Sequence, residues 1–113
     1  MAKTRLVVEL GTGVDLHGGD YTKSATRAVE DAIHRGSLLY LADAMRAGGR
    51  IKMFVDVTIA SPNPAAVKGE EVLKALPFGE KTIKVVAGGM QVPGTEPDNI
   101  IMSNASVLVS FES

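Results

Sequence analysis

The sequence predicts an α/β domain, an α+β sandwich in which helices cover one face of a four-stranded mixed sheet. Strand-like and helix-like segments alternate along the chain, which is typical of this architecture. Residues 51–59 alternate apolar and polar side chains as a half-buried strand does. A chain of 113 residues with 45% hydrophobic and only 4% aromatic residues forms one domain, 1–113, with a mainly aliphatic core.

The first half of the chain predicts a strand, a helix and a shorter helix. Residues 4–10 alternate as a strand, and Asp20 or Thr22 is a suitable cap for the helix that follows. Gly36 is a suitable end for that helix, and residues 37–46 predict a short second helix before Gly48-Gly49. The first helix has apolar side chains at the spacing of one buried stripe: Ala25, Ala28, Val29, Ala32 and Ile33.

The second half predicts strand, helix, strand and strand. After the strand 51–59, Asn63 is a candidate cap with Pro64 in the first helical position, and Pro77 closes this helix. Residues 82–87 predict a strand ending at Gly88-Gly89, where a turn or bulge is expected. A loop over 92–99 then leads to a last strand near 100–111.

Two of the predicted strands are apolar on both faces, as the pairs Val7-Val8 and Val85-Val86 show. With helices on one face only, the other face would expose apolar side chains to water, which small domains rarely do. We therefore expect a homo-oligomer that buries this face.

Composition excludes several classes of protein. A net charge of −1 and a pI near 6.1 give no basic field for nucleic acid. The absence of cysteine excludes disulfides, a thiol nucleophile and thiolate zinc ligation. Neither a signal peptide nor an apolar run long enough for a bilayer is evident, so a cytoplasmic protein without membrane contact is expected.

The glycine-rich stretch over residues 9–20 is the first candidate site. Asp15 and His17 lie two residues apart, and extended backbone would direct both side chains to the same side. An oxygen and a nitrogen ligand suit a divalent metal such as zinc. The alternative is a structural turn in which Asp15 accepts loop amides and His17 lies at the surface. His34 fits a solvated helix end better than a ligand.

The start of the first helix is a candidate anion site. Gly18 and Gly19 precede the helix, and Lys23 and Arg27 lie one turn apart on one side of it. Loop amides, a helix N-terminus and two cations together suit phosphate or carboxylate. The alternative is a solvated polar stripe with Arg27–Asp31 and Glu30–His34 pairs four residues apart.

Asp56 is a third candidate, because it lies in the middle of a strand. Its carboxylate would either line a pocket between subunits or pair with a lysine. Ser103, Asn104 and Ser106 near the last strand have no histidine at a recognisable spacing, so a structural role is expected for them.

Three patches resemble methylerythritol cyclodiphosphate synthase. They are Gly11-x-Gly13-x-Asp15-x-His17, the helix segment 27–33, and Val55-Asp56-Val57-Thr58-Ile59. The resemblance implies a fold related to that trimeric synthase and to trimeric chorismate mutases, and a homo-oligomer that is a trimer or a multiple of one. It also implies that Asp15 and His17 are the first two metal ligands. Arg27 occupies the place of the third ligand, and a guanidinium cannot bind a metal. The synthase's C-terminal nucleotide motifs are absent, so its activity is not expected here.

Nearly the whole chain also resembles a small bacterial family of conserved hypothetical proteins, a likeness that implies no activity. Three functions stay open. An enzyme would use Asp15, His17 or Asp56 as an acid or base at a subunit interface, with Lys23 and Arg27 holding an anionic substrate. A binding module would hold a small anionic metabolite through the same groups. An oligomeric scaffold would need none of them.

Overall fold

The fold was established from a computed structural model that describes residues 3–35, 52–76, 79–94 and 98–112. In chain order the elements are β1 (Lys3–Asp15), α1 (Tyr21–Arg35), β2 (Lys52–Ser61), a 3-10 turn (Pro64–Ala66), α2 (Gly69–Leu73), β3 (Glu80–Ala87), β4 (Met90–Pro93) and β5 (Asn99–Glu112). The predicted short helix over 37–46, its flanking glycines and Pro77 lie outside these residues.

The described strands form one mixed sheet in the order β1-β5-β2-β3, with β4 paired to β5. The long β5 runs antiparallel to β1 along one edge, and antiparallel to β2 and then β4 along the other. Strands β2 and β3 are parallel. The α+β architecture with a mixed sheet is therefore confirmed, whereas the predicted four strands become five because β4 extends the sheet beyond the end of β2.

Strand β1 is longer than predicted, since it includes the glycine-rich residues 11–15 that the sequence analysis assigned to a loop. Gly11 and Gly13 are glycines because the α1 backbone lies directly on them. A Cβ on Gly13 would stand 2.1 Å from the Ser24 carbonyl oxygen, and one on Gly11 would stand 2.2 Å from that of Ala28. These glycines permit close packing of helix on strand, and they form no turn.

Helix α1 buries the stripe that its periodicity predicts. Four of the five stripe residues are fully buried and Ile33 is 6% exposed. Asp20 caps the helix, because its Oδ1 accepts the Lys23 N–H at 3.0 Å. The stripe packs on the inner face of the sheet, where the core side chains of β2 and β5 are Val55, Val57, Ile59, Ala105, Val107 and Val109.

The helix predicted between Asn63 and Pro77 is wrong in extent. The structure has a 3-10 turn and the five-residue α2, separated by extended backbone at Val67 and Lys68. Asn63 makes no side-chain cap. Gly69 instead lies against the Ile83 side chain, where a Cβ would stand at 2.9 Å, and Val72 is fully buried. At the break itself the Lys68 N–H donates to the Thr22 hydroxyl of α1, a tertiary contact that the apolar spacing could not indicate.

The opposite, outer face of the sheet is uncovered by any described element. Several of its large apolar side chains are exposed, including Leu10 at 68% and Met90 at 56%. None of the helices in the described part of the chain is long and apolar enough to cross a bilayer.

Candidate functional site

A cleft of about 430 Å³ lies at the carboxyl ends of β1 and β2. One wall is the β1–α1 loop and the first turn of α1, residues 18–22. The other wall comes from the segment after β2 and includes Ala66, Lys68 and Glu71. The carboxyl ends of strands are where open α/β sheets usually bind ligands, since loops and helix N-termini converge there. We call this space the cleft.

Asp15, the last residue of β1, supports the loop that forms the first wall. It is buried, at 2% exposure, and its Oδ2 accepts the Asp20 N–H at 2.9 Å. Arg27 Nη1 lies 3.6 Å from Asp15 Oδ1 and donates to the Val14 carbonyl oxygen at 2.6 Å. Both carboxylate oxygens of Asp15 therefore face protein donors, in agreement with the structural alternative given above for this residue.

His17 does not share a site with Asp15. Strand β1 ends at Asp15, so the alternation of side chains does not continue to His17. The exposed His17 ring lies with Nδ1 3.2 Å from Asp98 Oδ2, and the Gly18 N–H donates to Asp98 Oδ1 at 3.4 Å. Asp98 thus holds the rim of the cleft. Sequence reasoning missed it, because it lies in a segment with the composition of a plain connector.

Thr22 joins the two walls. Its hydroxyl donates to the Ala66 carbonyl oxygen at 3.3 Å and accepts the Lys68 N–H at 2.9 Å. Because one hydroxyl satisfies both a donor and an acceptor of the opposite wall, the width of the cleft is fixed by α1. Tyr21 adds a hydrogen bond from its hydroxyl to Gln91 Oε1 at 2.7 Å, which ties the start of α1 to β4.

A second hollow of about 340 Å³ continues the cleft along α1. It shares Asp20, Thr22 and Glu71 with the cleft and adds the side of α1 that carries Lys23 and Arg27. All four residues predicted for anion binding therefore line one continuous groove, with Gly18 and Gly19 at one end. The groove also carries carboxylates, so its charge is mixed.

The donor set does not fit a divalent metal. Within the described ranges no three His, Cys, Asp or Glu side chains come together as a metal group. Asp15 is occupied by an amide and a guanidinium, and the Arg27 charge opposes a cation beside it. No chemistry through a metal is derived for this site.

Asp56 lies far from both other candidate catalytic residues. It pairs with Leu108 on the outer face, whereas Asp15 pairs with Ile101 on the inner face. Seven residues of β5 separate these positions, about 23 Å of extended strand. Asp56 accepts a hydrogen bond from the Thr82 hydroxyl. Ser103 is fully buried and contacts the Ser24 hydroxyl at 3.0 Å, within the polar cluster that joins α1 to β1 and β5.

Fold and cleft together define a small α+β domain whose polar groove opens at the carboxyl ends of its strands. A family model described as a conserved hypothetical protein family, Lin0512, matches residues 5–109. The chain belongs to this family, as the whole-chain resemblance predicted. No curated protein matches.

The comparison with solved structures found a match over the full length. It is the crystal structure of an FtsZ-like protein of unknown function from Nostoc punctiforme, 38% identical, with a TM-score of 0.84. The match covers 100% of this chain and 99% of that one. The likeness to the cyclodiphosphate synthase gains no support from these comparisons.

Proposed function

We propose that this protein binds a small metabolite that carries a carboxylate or phosphate, in the groove formed by the cleft and the hollow along α1. The observation that carries the proposal is the construction of the cleft. Two walls from different parts of the chain are held at a fixed distance by the Thr22 hydroxyl, at the carboxyl ends of β1 and β2. A preformed polar space of this size suits a small molecule.

The charges of the groove indicate which groups the ligand carries. Lys23 and Lys68 line it and make no ion pair within the described residues, so their ammonium groups are available to an anionic group. Glu71 lines both halves and is exposed. A ligand with an anionic group and a hydroxyl or amino group would satisfy both signs.

Binding without turnover is the better-supported function, because the buried acid of the site is already satisfied. Asp15 is buried, accepts the Asp20 amide and faces Arg27, and it does not line the groove, so its carboxylate supports the loop and is not placed to transfer a proton to a ligand there. One observation favours an enzyme as the second candidate: His17 at the rim is oriented by Asp98, an arrangement that general bases use. His17→Ala separates the two, since a catalytic role predicts lost turnover with retained affinity.

The test is a panel of carboxylates and phosphates screened by thermal shift, with hits measured by calorimetry. Lys68→Ala and Lys23→Ala should each weaken binding by about 10- to 100-fold, the value of a lost charge-assisted hydrogen bond. Lys81→Ala is the matched control, because this exposed lysine of β3 lies outside the groove. A ligand whose affinity is unchanged in both groove variants would contradict the proposal.

We also propose that the fold of this chain is related to the folds of trimeric chorismate mutases and of the cyclodiphosphate synthase. A mixed sheet with α1 and α2 on its inner face supports that kind of architecture.

A further inference from the structure

The outer face of the sheet is a regular surface built of cross-strand rows. The register places these side chains side by side: Val8, Leu108, Asp56 and Thr82; then Leu10, Ser106, Thr58 and Lys84; then Thr12, Asn104, Ala60 and Val86; then Val14, Met102 and Met90; and finally Ile100 with Val92. Val8 is 52% exposed, Leu10 68% and Met90 56%, an apolar exposure typical of interaction sites.

Charge in these rows is sparse and balanced, and the ion pair Lys52–Glu80 lies on the same face beyond them. The rows contain one carboxylate, Asp56, and one ammonium, Lys84. They are diagonal neighbours on β2 and β3, about 8 Å apart by strand geometry. A partner that fits this surface therefore offers apolar side chains with one cation and one anion at the same spacing. Another copy of the surface has that composition, and a chain of net charge −1 repels itself little.

We infer that a second copy of this chain packs on the outer face about a two-fold axis. The axis lies between the two sheets and parallel to them, passes midway between Asp56 and Lys84, and is perpendicular to the line that joins these two residues. Such an axis sets Asp56 opposite the partner's Lys84, and Lys84 opposite the partner's Asp56. Both charges are then paired where water is excluded, and no like charges meet. The inference is independent of the proposed ligand, because the groove lies beside α1 on the inner side.

The same axis brings complementary shapes together. With strands about 4.8 Å apart and about 3.3 Å per residue, the partner's Leu10 lies over Asn104. A hollow of about 450 Å³ lined by Leu10, Gly11, Thr12 and Asn104 opens there to receive it. Val86 comes to lie over the partner's Leu108. The strands of the two sheets cross at about 70°, near the orthogonal class of sheet packing.

The area of this contact places it among small interfaces. The crossing region is four strands wide in each direction, about 20 by 20 Å, or about 400 Å² of flat surface per copy. Side chains that stand on the sheet raise the area removed from water above this value. The total falls in the range of weak, reversible complexes, so the dissociation constant should be micromolar.

Sedimentation equilibrium between about 1 and 300 µM tests the inference on the full chain. We expect the mass to rise from monomer to dimer, and Leu10→Glu to weaken dimerisation at least tenfold. Ala65→Glu, an exposed position in the 3-10 turn, is the control and should leave it unchanged. A monomer throughout, a trimer, or a dimer insensitive to Leu10→Glu would each overturn the inference.

A charge exchange tests the two-fold axis itself. Asp56→Lys and Lys84→Asp should each dissociate at least tenfold more readily, because like charges then face one another. An equimolar mixture of the two variants should recover wild-type affinity within about threefold, since the two lysines of one variant then face the two aspartates of the other. Singles that dimerise as the wild type does, or a mixture no stronger than the singles, would overturn the pairing.

Discussion

Gly13→Ala should separate α1 from the sheet. The added Cβ would stand 2.1 Å from the Ser24 carbonyl oxygen and 2.3 Å from the Ala28 nitrogen, whereas ordinary contacts begin at 3.4 Å. Both neighbours are helix backbone, so no side-chain rotation relieves the clash. The helix must therefore move outward by about 1.3 Å, and a gap of that order forfeits a quarter to a half or more of each dispersion contact across it.

The expected cost of this substitution is at least about 3 kcal/mol. Overpacking costs about 1–3 kcal/mol where side chains adjust, and rigid backbone places this site at or above the upper limit. For a domain of this size the melting temperature should fall by about 12 °C. Urea unfolding followed by circular dichroism, at one fixed protein concentration, measures the free energy of unfolding.

Gly18→Ala is the matched control. Gly18 has φ of +91°, but a Cβ there has nothing within 4 Å. Its cost should be about 1 kcal/mol, from backbone conformation alone. If Gly13→Ala unfolds within about 1 kcal/mol of the wild type and with the same denaturant dependence, the close approach of α1 to β1 is refuted.

Three further substitutions test the polar contacts around the cleft. Ser24→Ala should cost about 1–3 kcal/mol in denaturant unfolding, because it leaves the Gly13 carbonyl oxygen and the Ser103 hydroxyl without their buried partner. Thr22→Val should speed hydrogen exchange of the Lys68 amide, which loses its acceptor, and unchanged exchange would contradict the joined walls. Asp98→Ala should speed exchange of the Gly18 amide at a stability cost below about 1 kcal/mol, since this contact is exposed.

The comparison with relatives gives these tests a wider use. The family match covers residues 5–109 and the FtsZ-like neighbour is similar over its whole length. The groove and the outer face can therefore be tested in either protein. A ligand or an association found in one of the two proteins can then be tested directly in the other.

Local periodicity was enough to predict the parts of the fold that repeat along the chain. The stripe of α1, the alternation in β2 and the extent of β5 each follow from spacing within one segment. The helix cap at Asp20 could also be predicted from the sequence, because a cap acts within three residues of its own position. Burial of one side of such a segment depends little on which partner covers it.

The parts that went unpredicted depend on segments distant in the sequence. Gly11 and Gly13 have the composition of a turn, and only the approach of α1 shows that they belong to a strand. Strand β4 was not predicted. It pairs with β5 only because the chain passes the end of β2 at Gly88 and Gly89, and in the sequence these two glycines indicate the end of a strand.

The same distinction between local and long-range information applies to the candidate site. The sequence alone identified Asp15, His17 and the groove residues Lys23 and Arg27 as polar groups gathered near the start of α1. Tertiary structure decided their roles, by placing Asp98 81 residues from His17 in the chain yet beside it in space, and by engaging Asp15 with Arg27. Hydrogen bonds are short and directional, so which donor meets which acceptor depends on the path of the folded chain and not on local spacing.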